Sequence, residues 1–299
     1  MKTVTPMLDW NKPRVITEVL SHMMDDFDDD LNRVKPVHVL TGFADLDRVT
    51  MGLRPGSVVV VAGRPSFGKT AFSFNIASHS VLEQKLPTLI FSMDMSSKQV
   101  AARLVCQNGR VDVYDFRVGK VGPDAKKRAM ATIEKFKGTS LFIDETPALK
   151  VSEIISRARE IFEKHGRLGL VVIDYLQAIS PLLADGASTK NYHEVMFGLR
   201  SLAKEINAPV VVLSQLNRKL EKRKNKRPRV GDLPSEAILQ NADLLLFLYR
   251  DEAYDPDSPD KGIAEVIVGR NRHGPIGTIR LSFVGEFARF ENLLALTND

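Results

Sequence analysis

One stretch near the first quarter of the chain has the residue types and spacing of a phosphate cradle. In "VVVVAGRPSFGKTAF" an apolar run ends at Gly63, and Gly68, Lys69 and Thr70 follow after four residues. This is the P-loop spacing, G-x-x-x-x-G-K-T. Glycines let the loop Gly63, Arg64, Pro65, Ser66, Phe67 and Gly68 wrap closely enough for backbone N–H groups to meet phosphate oxygens. Lys69 supplies a cation for the β and γ phosphates, and the Thr70 hydroxyl supplies a ligand for Mg²⁺. A helix opening at Ala71 adds the positive end of its dipole. The chemistry implied is binding of a nucleoside triphosphate, ATP or another, with Mg²⁺.

A magnesium ion held in this way needs a carboxylate at the end of a neighbouring strand. Asp144 in "LFIDE" and Asp174 in "LVVIDYLQ" both close apolar runs. Asp174 is favoured, because its run is longer and continues into Tyr-Leu-Gln. Asp94 in "FSMDMS" ends the run after the P-loop helix. A carboxylate there either orients the attacking water or caps the helix of "MSSKQVAARL", and the residue types leave both roles open. Ser214 and Gln215 close "VVVLSQ". A polar pair after an apolar run needs a hydrogen-bonding reason; sensing a γ-phosphate is one and capping the strand is another.

The elements that must position these groups follow from periodicity. Strand-like runs at 57–63, 87–94, 140–145, 168–176, 208–216 and 242–250 alternate with helical stretches at 71–83, 97–107, 124–136, 151–165 and 195–206. Continuous apolar strands between helices predict an α/β fold, with a mostly parallel central sheet covered by helices on both faces. The segment "IAEVIVGRNRHGPIGTIRLSFV" reads as a C-terminal antiparallel hairpin about Gly-Pro-Ile-Gly, and "RFENLL" as a further strand. Residues 1–11 look irregular. Residues 12–34 have helical spacing of Val15, Ile16, Val19, Leu20, Met23, Phe27 and Leu31, with Asp25, Asp26, Asp28, Asp29 and Asp30 as a solvated acidic face. Residues 35–299 then form one ATPase domain.

Composition bounds the partners. A net charge of +5 points to an anionic one. The single cysteine, Cys106, excludes an internal disulfide framework and fits a reducing compartment. No apolar run approaches the ~20 residues of a membrane span, and the N-terminal stretch lacks the apolar core of a secretory signal. A cytoplasmic protein with no membrane partner is expected. The run "KLEKRKNKRPR" over 219–229 has seven cations and one acid. With so few apolar residues it is expected to be a mobile loop able to hold a phosphate backbone. It contains no aromatic residue, which favours backbone tracking over base readout.

Together these stretches resemble the C-terminal motor domain of hexameric replicative DNA helicases of the DnaB type. The resemblance is carried by "VLTGFADLDRVTMGLRPGSVVVVAGRPSFGKT", "LIFSMDMSSKQVAARL", "GLVVIDYLQ", "VVVLSQLNRKLEKRKNKRP", "ILQNADLLLFLYRDE" and "KGIAEVIVGRNRHGPIGTIRLSF", in the family's order over roughly residues 13–293. It implies a RecA-like fold, a homo-hexameric ring and ATP-driven translocation on single-stranded DNA. It also implies a loader, a primase or a full-length helicase as partners. By resemblance, Asp174 serves the metal, Gln215 links nucleotide state to the DNA loops, and Asp94 stands where the family has a catalytic glutamate. Arg103 matches an arginine lying against the nucleotide base, and Arg270 and Arg272 match a basic pair reaching the neighbouring subunit's γ-phosphate. Arg218, Lys219, Lys222, Arg223, Lys224, Lys226, Arg227 and Arg229 are placed towards the ring's channel as the DNA-binding set.

The sequence departs from the family in three places. Asp94 is one methylene shorter than glutamate, and misplacement by about 1 Å costs ~10²-fold; either slow hydrolysis or compensation by Glu145 or a water is expected. The loop normally reading Asp-Leu-Arg-Glu-Ser-Gly is "GDLPSEAILQ", in which Pro234 removes an N–H and no arginine remains. Only the linker helix is matched before the motor. These departures sustain an alternative expectation: a helicase-like ATPase, or weakly hydrolysing paralogue, acting as a loading, recombination or regulatory DNA-binding factor.

Overall fold

A computed structural model describes residues 15–17, 20, 38–180 and 188–293. The chain divides into two units, Met1–Val37 and His38–Asp299. In the first, Val15, Ile16 and Leu20 are exposed. The irregular segment 1–11 and most of the helix expected over 12–34, including its acidic face, lie outside the described residues.

In the second unit the six apolar runs become strands β1 (Val58–Gly63), β2 (Thr88–Ser92), β3 (Leu141–Asp144), β4 (Leu170–Asp174), β5 (Val210–Gln215) and β6 (Leu244–Tyr249). They pair in parallel in the order β3-β2-β4-β5-β1-β6. The hairpin strands β7 (Ile263–Asn271) and β8 (Gly277–Val284), then β9 (Arg289–Asn292), extend the same sheet antiparallel beyond β6. A bulge at Gly269 separates the pairs Leu245–Arg270 and Leu246–Val268. A Cβ on Gly269 would lie 2.4 Å from the Phe247 ring, so this close approach requires glycine.

The helices are α1 (Ala44–Thr50), α2 (Lys69–Leu82), α3 (Ser97–Gly109), α4 (Val113–Val118), α5 (Pro123–Phe136), α6 (Val151–His165), α7 (Thr189–Glu205) and α8 (Glu236–Asn241). Pleating sends alternate residues of each strand to opposite faces. Val58, Val60 and Ala62 of β1 therefore join the core under α6, α7 and α8, while Val59 and Val61 join the core under α1, α2 and α3. Strands buried on both faces read as unbroken apolar runs, which is why the periodicity was legible.

Helix starts are set by caps. The Ser96 side chain accepts from the Gln99 N–H while Gln99 reaches back to Ser96, and Pro123 occupies the first turn of α5. The same Ser188–Asn191 device opens α7 six residues before the helical stretch expected at 195. Its first turn, "TKNYHE", is too polar for the apolar period to register.

Candidate nucleotide-binding site

The parallel register lines up the C-terminal ends of the central strands, matching Gly63 with Gln215 and Ser92 with Asp174. The expected phosphate loop leaves β1 at this rim and runs into α2. Ser66 (φ 68°) and Gly68 (φ 93°) take left-handed backbone conformations that turn the loop. A Cβ on Gly68 would lie 2.8 Å from the Phe290 ring, so β9 closes against the loop only because this residue is glycine.

Lys69 donates from Nζ to the Arg64 carbonyl at 3.0 Å. Burial pushes its ammonium down to about 8; Asp174 pulls the other way, and Arg64 adds to the depression. A buried cation whose partner is a neutral carbonyl is poised for an anion. Thr70 Oγ1 donates to Asp174 Oδ2 at 2.7 Å. Asp174 is 8 % exposed, and desolvation, with Asp94 nearby, holds its carboxyl above the usual range. A hydroxyl and a buried, charge-starved carboxylate in contact form the oxygen donor set that suits Mg²⁺, so the residues present fit that ion.

The two strand-end aspartates have different surroundings. Asp144 lies on the outermost strand β3 and accepts from Arg157 at 2.6 Å, a pair that holds its carboxyl below the usual range against the desolvation of the site. Asp174 alone meets Thr70. For Asp94, the helix-capping alternative fails, because Ser96 fills that role. Glu145 accepts from the Ser97 N–H, which draws its carboxyl below the usual range and commits it to the start of α3. Asp94 itself is exposed and without a hydrogen bond among the described residues, yet it is close enough to raise both Asp174 and Tyr175. Arg103, exposed on α3, acts on Asp174 in the opposite sense.

Gln215 has its backbone fixed and its side chain unengaged among the described residues. Gln177 is the clamp: its Oε1 accepts from the Gln215 N–H at 3.1 Å, and its Nε2 reaches Ser214 Oγ at 3.1 Å and the Gln215 carbonyl at 3.3 Å. Gln177 was not singled out from sequence, although "DYLQ" placed it three residues past Asp174. Arg250 was also missed. It donates to the Ser66 carbonyl at 3.3 Å and lies 3.9 Å over the Phe283 ring.

Arg270 and Arg272 lie at the opposite rim. Val59 is level with Leu244, and Leu244 with Asn271, so the arginines flank the beginning of β1. Four residues of strand separate Val59 from Gly63, about 13 Å at ~3.3 Å each. Arg270 donates to the Leu239 carbonyl, and Arg272 to Asp243 Oδ1 at 2.9 Å. Neither reaches the phosphate loop of its own chain.

The basic run is not the mobile loop expected. Arg218–Lys222 forms a 3-10 turn. Arg223 pairs with both oxygens of buried Asp232 at 2.8 Å, and Arg227 grips Glu265 through both oxygens. Arg227 also stacks 4.8 Å over Tyr249, and Lys226 4.6 Å over Tyr254. These aromatic partners lie outside the run, which is why composition alone made it look untethered. Arg218, Lys219, Lys222, Lys224 and Arg229 remain exposed. The departure loop is knit to the end of β5: Asn217 donates from its N–H to the Asp232 carbonyl at 2.8 Å and from Nδ2 to the Leu233 carbonyl at 2.9 Å.

Residues 38–292 match the family described as DnaB-like helicase C terminal domain. Among curated relatives, the replicative DNA helicase DnaB of Haemophilus influenzae is 43 % identical over 259 residues, which is 85 % of this chain and 55 % of the relative. That of Geobacillus stearothermophilus is 39 % identical over 258 residues, 85 % of this chain and 56 % of the relative. The chain thus spans about half the length of the curated relatives it matches. Among solved structures, one isolated ATPase domain superposes with a TM-score of 0.87 at 31 % identity, covering 95 % of this chain and 100 % of that one. A DnaB-like replicative helicase, studied with its interactions with primase, gives 0.83 at 31 % identity, covering 95 % of this chain and 68 % of that one. The nine-stranded, mostly parallel sheet with its phosphate loop is the RecA-like ATPase architecture of these proteins, and the chain belongs to the DnaB-like helicase C-terminal domain family.

Proposed function

We propose that this chain is the motor of a replicative-type DNA helicase, hydrolysing ATP in a homo-hexameric ring to move along single-stranded DNA and part the duplex. The observation that carries the reading is the division of one site between two rims. Lys69, Thr70, Asp174 and Gln215 gather at one end of the sheet, while Arg270 and Arg272 stand at the other. Lys69 leaves the Arg64 carbonyl for the β and γ phosphates. Thr70 and Asp174 hold Mg²⁺, which neutralises phosphate charge when bound. Asp94, exposed beside Asp174, orients the attacking water, and Gln215 contacts the γ-phosphate from β5. Arg103 lies against the base. Arg272, with Arg270, stabilises the charge developing on the phosphoryl oxygens of the adjacent subunit's nucleotide. Arg218, Lys219, Lys222, Lys224 and Arg229 face the DNA backbone, whereas Arg223 and Arg227 shape the segment that carries them.

A loader and a primase are the further partners proposed, and the cytoplasm the location. Among the described residues no helix is long and apolar enough to cross a membrane. A second reading, a loading, recombination or regulatory factor with weak hydrolysis, is favoured by the shorter carboxylate at Asp94 and by Pro234 in the departure loop. ATPase turnover with and without single-stranded DNA, beside native mass measurement with nucleotide bound, separates the two. A hexamer with DNA-stimulated turnover is expected of the motor; an unstimulated monomer refutes it.

A further inference from the structure

The phosphate loop touches the basic segment directly through Arg64 and indirectly through the Tyr254 ring, and neither link is needed to hold a phosphate. Arg64 follows Gly63 directly, and its guanidinium, 10 % exposed, does not face the cradle. It donates to Glu221 Oε1 at 2.8 Å and to the Leu216 carbonyl at 2.7 Å. The Arg64 carbonyl is also the acceptor that holds Lys69. Further along the loop, buried Phe67 packs on Tyr254 with ring centroids 5.3 Å apart, and Lys226 covers the same ring. Leu216 directly follows β5, Glu221 lies in the 3-10 turn, and Lys226 is four residues beyond its end.

We propose that Arg64 and Glu221 are positioning residues that carry phosphate occupancy of the loop to the segment 216–229, with the Phe67–Tyr254–Lys226 stack as a second, indirect link. A phosphate takes Lys69 from the Arg64 carbonyl, so the peptide at Arg64 loses its shorter hydrogen bond and keeps only the one from the Phe67 N–H at 3.4 Å. The guanidinium cannot absorb the resulting shift alone. Its fork is charge-assisted on one side, bonded to main chain on the other, and packed within the fold, so Leu216 and the turn move with it. Lysine would not serve, because a single point charge cannot hold both acceptors in one plane. Glu221 sits between exposed Lys219 and Lys222, so a displaced turn re-aims those two cations. By linkage, an anion held by the turn alters nucleotide affinity by the same factor that nucleotide alters the anion's.

The test is hydrogen exchange of segment 216–229 in the whole chain, with and without Mg²⁺ and a non-hydrolysable ATP analogue. Wild type is compared with Glu221→Gln and Arg64→Lys. Glu221 is 43 % exposed, so its substitution leaves the core intact. Nucleotide should change exchange in 216–229 by about fivefold or more in wild type and by less than about twofold in both variants. A purely structural role would raise the variants' exchange in both states and preserve the response. A preserved response in Glu221→Gln, or no response in wild type, overturns the proposal. The DNA arm rests on the function proposed above. Affinity for an oligothymidylate should depend on nucleotide in wild type by a factor within about 5–150, and by less than about threefold in Glu221→Gln. If the exchange response is lost in the variants while oligothymidylate binding never depends on nucleotide, the link stands and the DNA role of the segment falls.

Discussion

The depressed pKa of Lys69 makes nucleotide affinity fall above pH 8 by a calculable amount. The free chain holds Lys69 at about 8, with burial the largest cause. A polyphosphate beside the ammonium restores its preference for the charged form. Binding above pH 8 must therefore take up a proton, and the affinity falls by a factor of about 1 + 10^(pH − 8), near unity at pH 7 and roughly tenfold at pH 9. The lone thiol and three of the phenols are displaced above this window. Burial pushes the Cys106 thiol to about 11 and holds Tyr175, Tyr249 and Tyr254 above their ordinary value. The charges acting on Lys69 are Asp174, which supports its protonation, and Arg64, which opposes it. The assay is titration with a fluorescent ADP at pH 7, 8 and 9, with calorimetry in two buffers of different ionisation enthalpy to count the proton. Stability has the opposite sign. The native pKa lies below the unfolded value of about 10.4, so below pH 8 both states are protonated and the burial penalty is fully present. Above pH 8 the unfolded state holds more protons, and this group's contribution makes the native state more stable as pH rises. An affinity that is flat to pH 9, or no proton uptake, refutes the account of Lys69 as a buried cation awaiting its anion.

Two further outcomes test the DNA contact and the shared site. With Arg218, Lys219, Lys222, Lys224 and Arg229 as the exposed set, log affinity for single-stranded DNA should fall against log salt with a slope near −0.7 per phosphate contact, about −3.5 for all five. Lys222→Ala with Lys224→Ala should flatten the slope by about 1.4, whereas Arg223→Ala should destabilise the fold by about 3 kcal/mol by leaving buried Asp232 unpaired; a slope near zero removes this segment from the interface. Arg272→Ala should leave nucleotide binding intact and lower turnover by about 10³-fold or more, and mixing it with Lys69→Ala should recover activity at interfaces pairing an intact loop with an intact arginine. Turnover unchanged in Arg272→Ala rejects a shared site.

The fold was legible because burial on both faces leaves a sequence trace. β1 reads Val-Val-Val-Val-Ala-Gly since neither face meets water, and the same holds for β4, β5 and β6. The phosphate loop was legible because its glycines answer to local geometry, at Gly68 to a positive φ. What could not be read were pairings between segments far apart in the chain. Gln177 clamps Gln215 across 38 residues, Arg227 finds Glu265 across 38, and Arg64 finds Glu221 across 157. A charge run has the same composition whether its members face water or carboxylates, so 219–229 looked mobile although two of its arginines are fully engaged. The Asp144–Asp174 ambiguity had the same origin. Both close apolar runs; run length leaned towards Asp174, but the strand order and the partners Thr70 and Arg157, which set the two apart, come from distant segments.

Strand direction also bears on why such a motor works as an assembly. Parallel strands deliver Gly63, Asp174 and Gln215 to one rim, and an antiparallel hairpin after β6 necessarily returns its far end to the other. Arg272 is therefore fixed to Asp243, at the start of β6, by its backbone as well as its side chain: its N–H donates to the Asp243 carbonyl at 2.9 Å. Asp243 in turn accepts from the Val58 N–H through Oδ2. The arginine is thus tied to the opening of the strand whose other end carries the phosphate loop. In the proposed ring, each β1 spans the distance between a site it completes and a site it hosts. A head-to-tail contact of this kind is heterologous and needs rotational closure to end. Shortening the carboxylate at Asp94 leaves that geometry untouched, so in the proposed ring slow chemistry and an intact shared interface would be separable. Asp94→Glu tests the first alone: it should raise turnover while the dependence on Arg272 persists, and a loss of that dependence would contradict the division of the site between two rims.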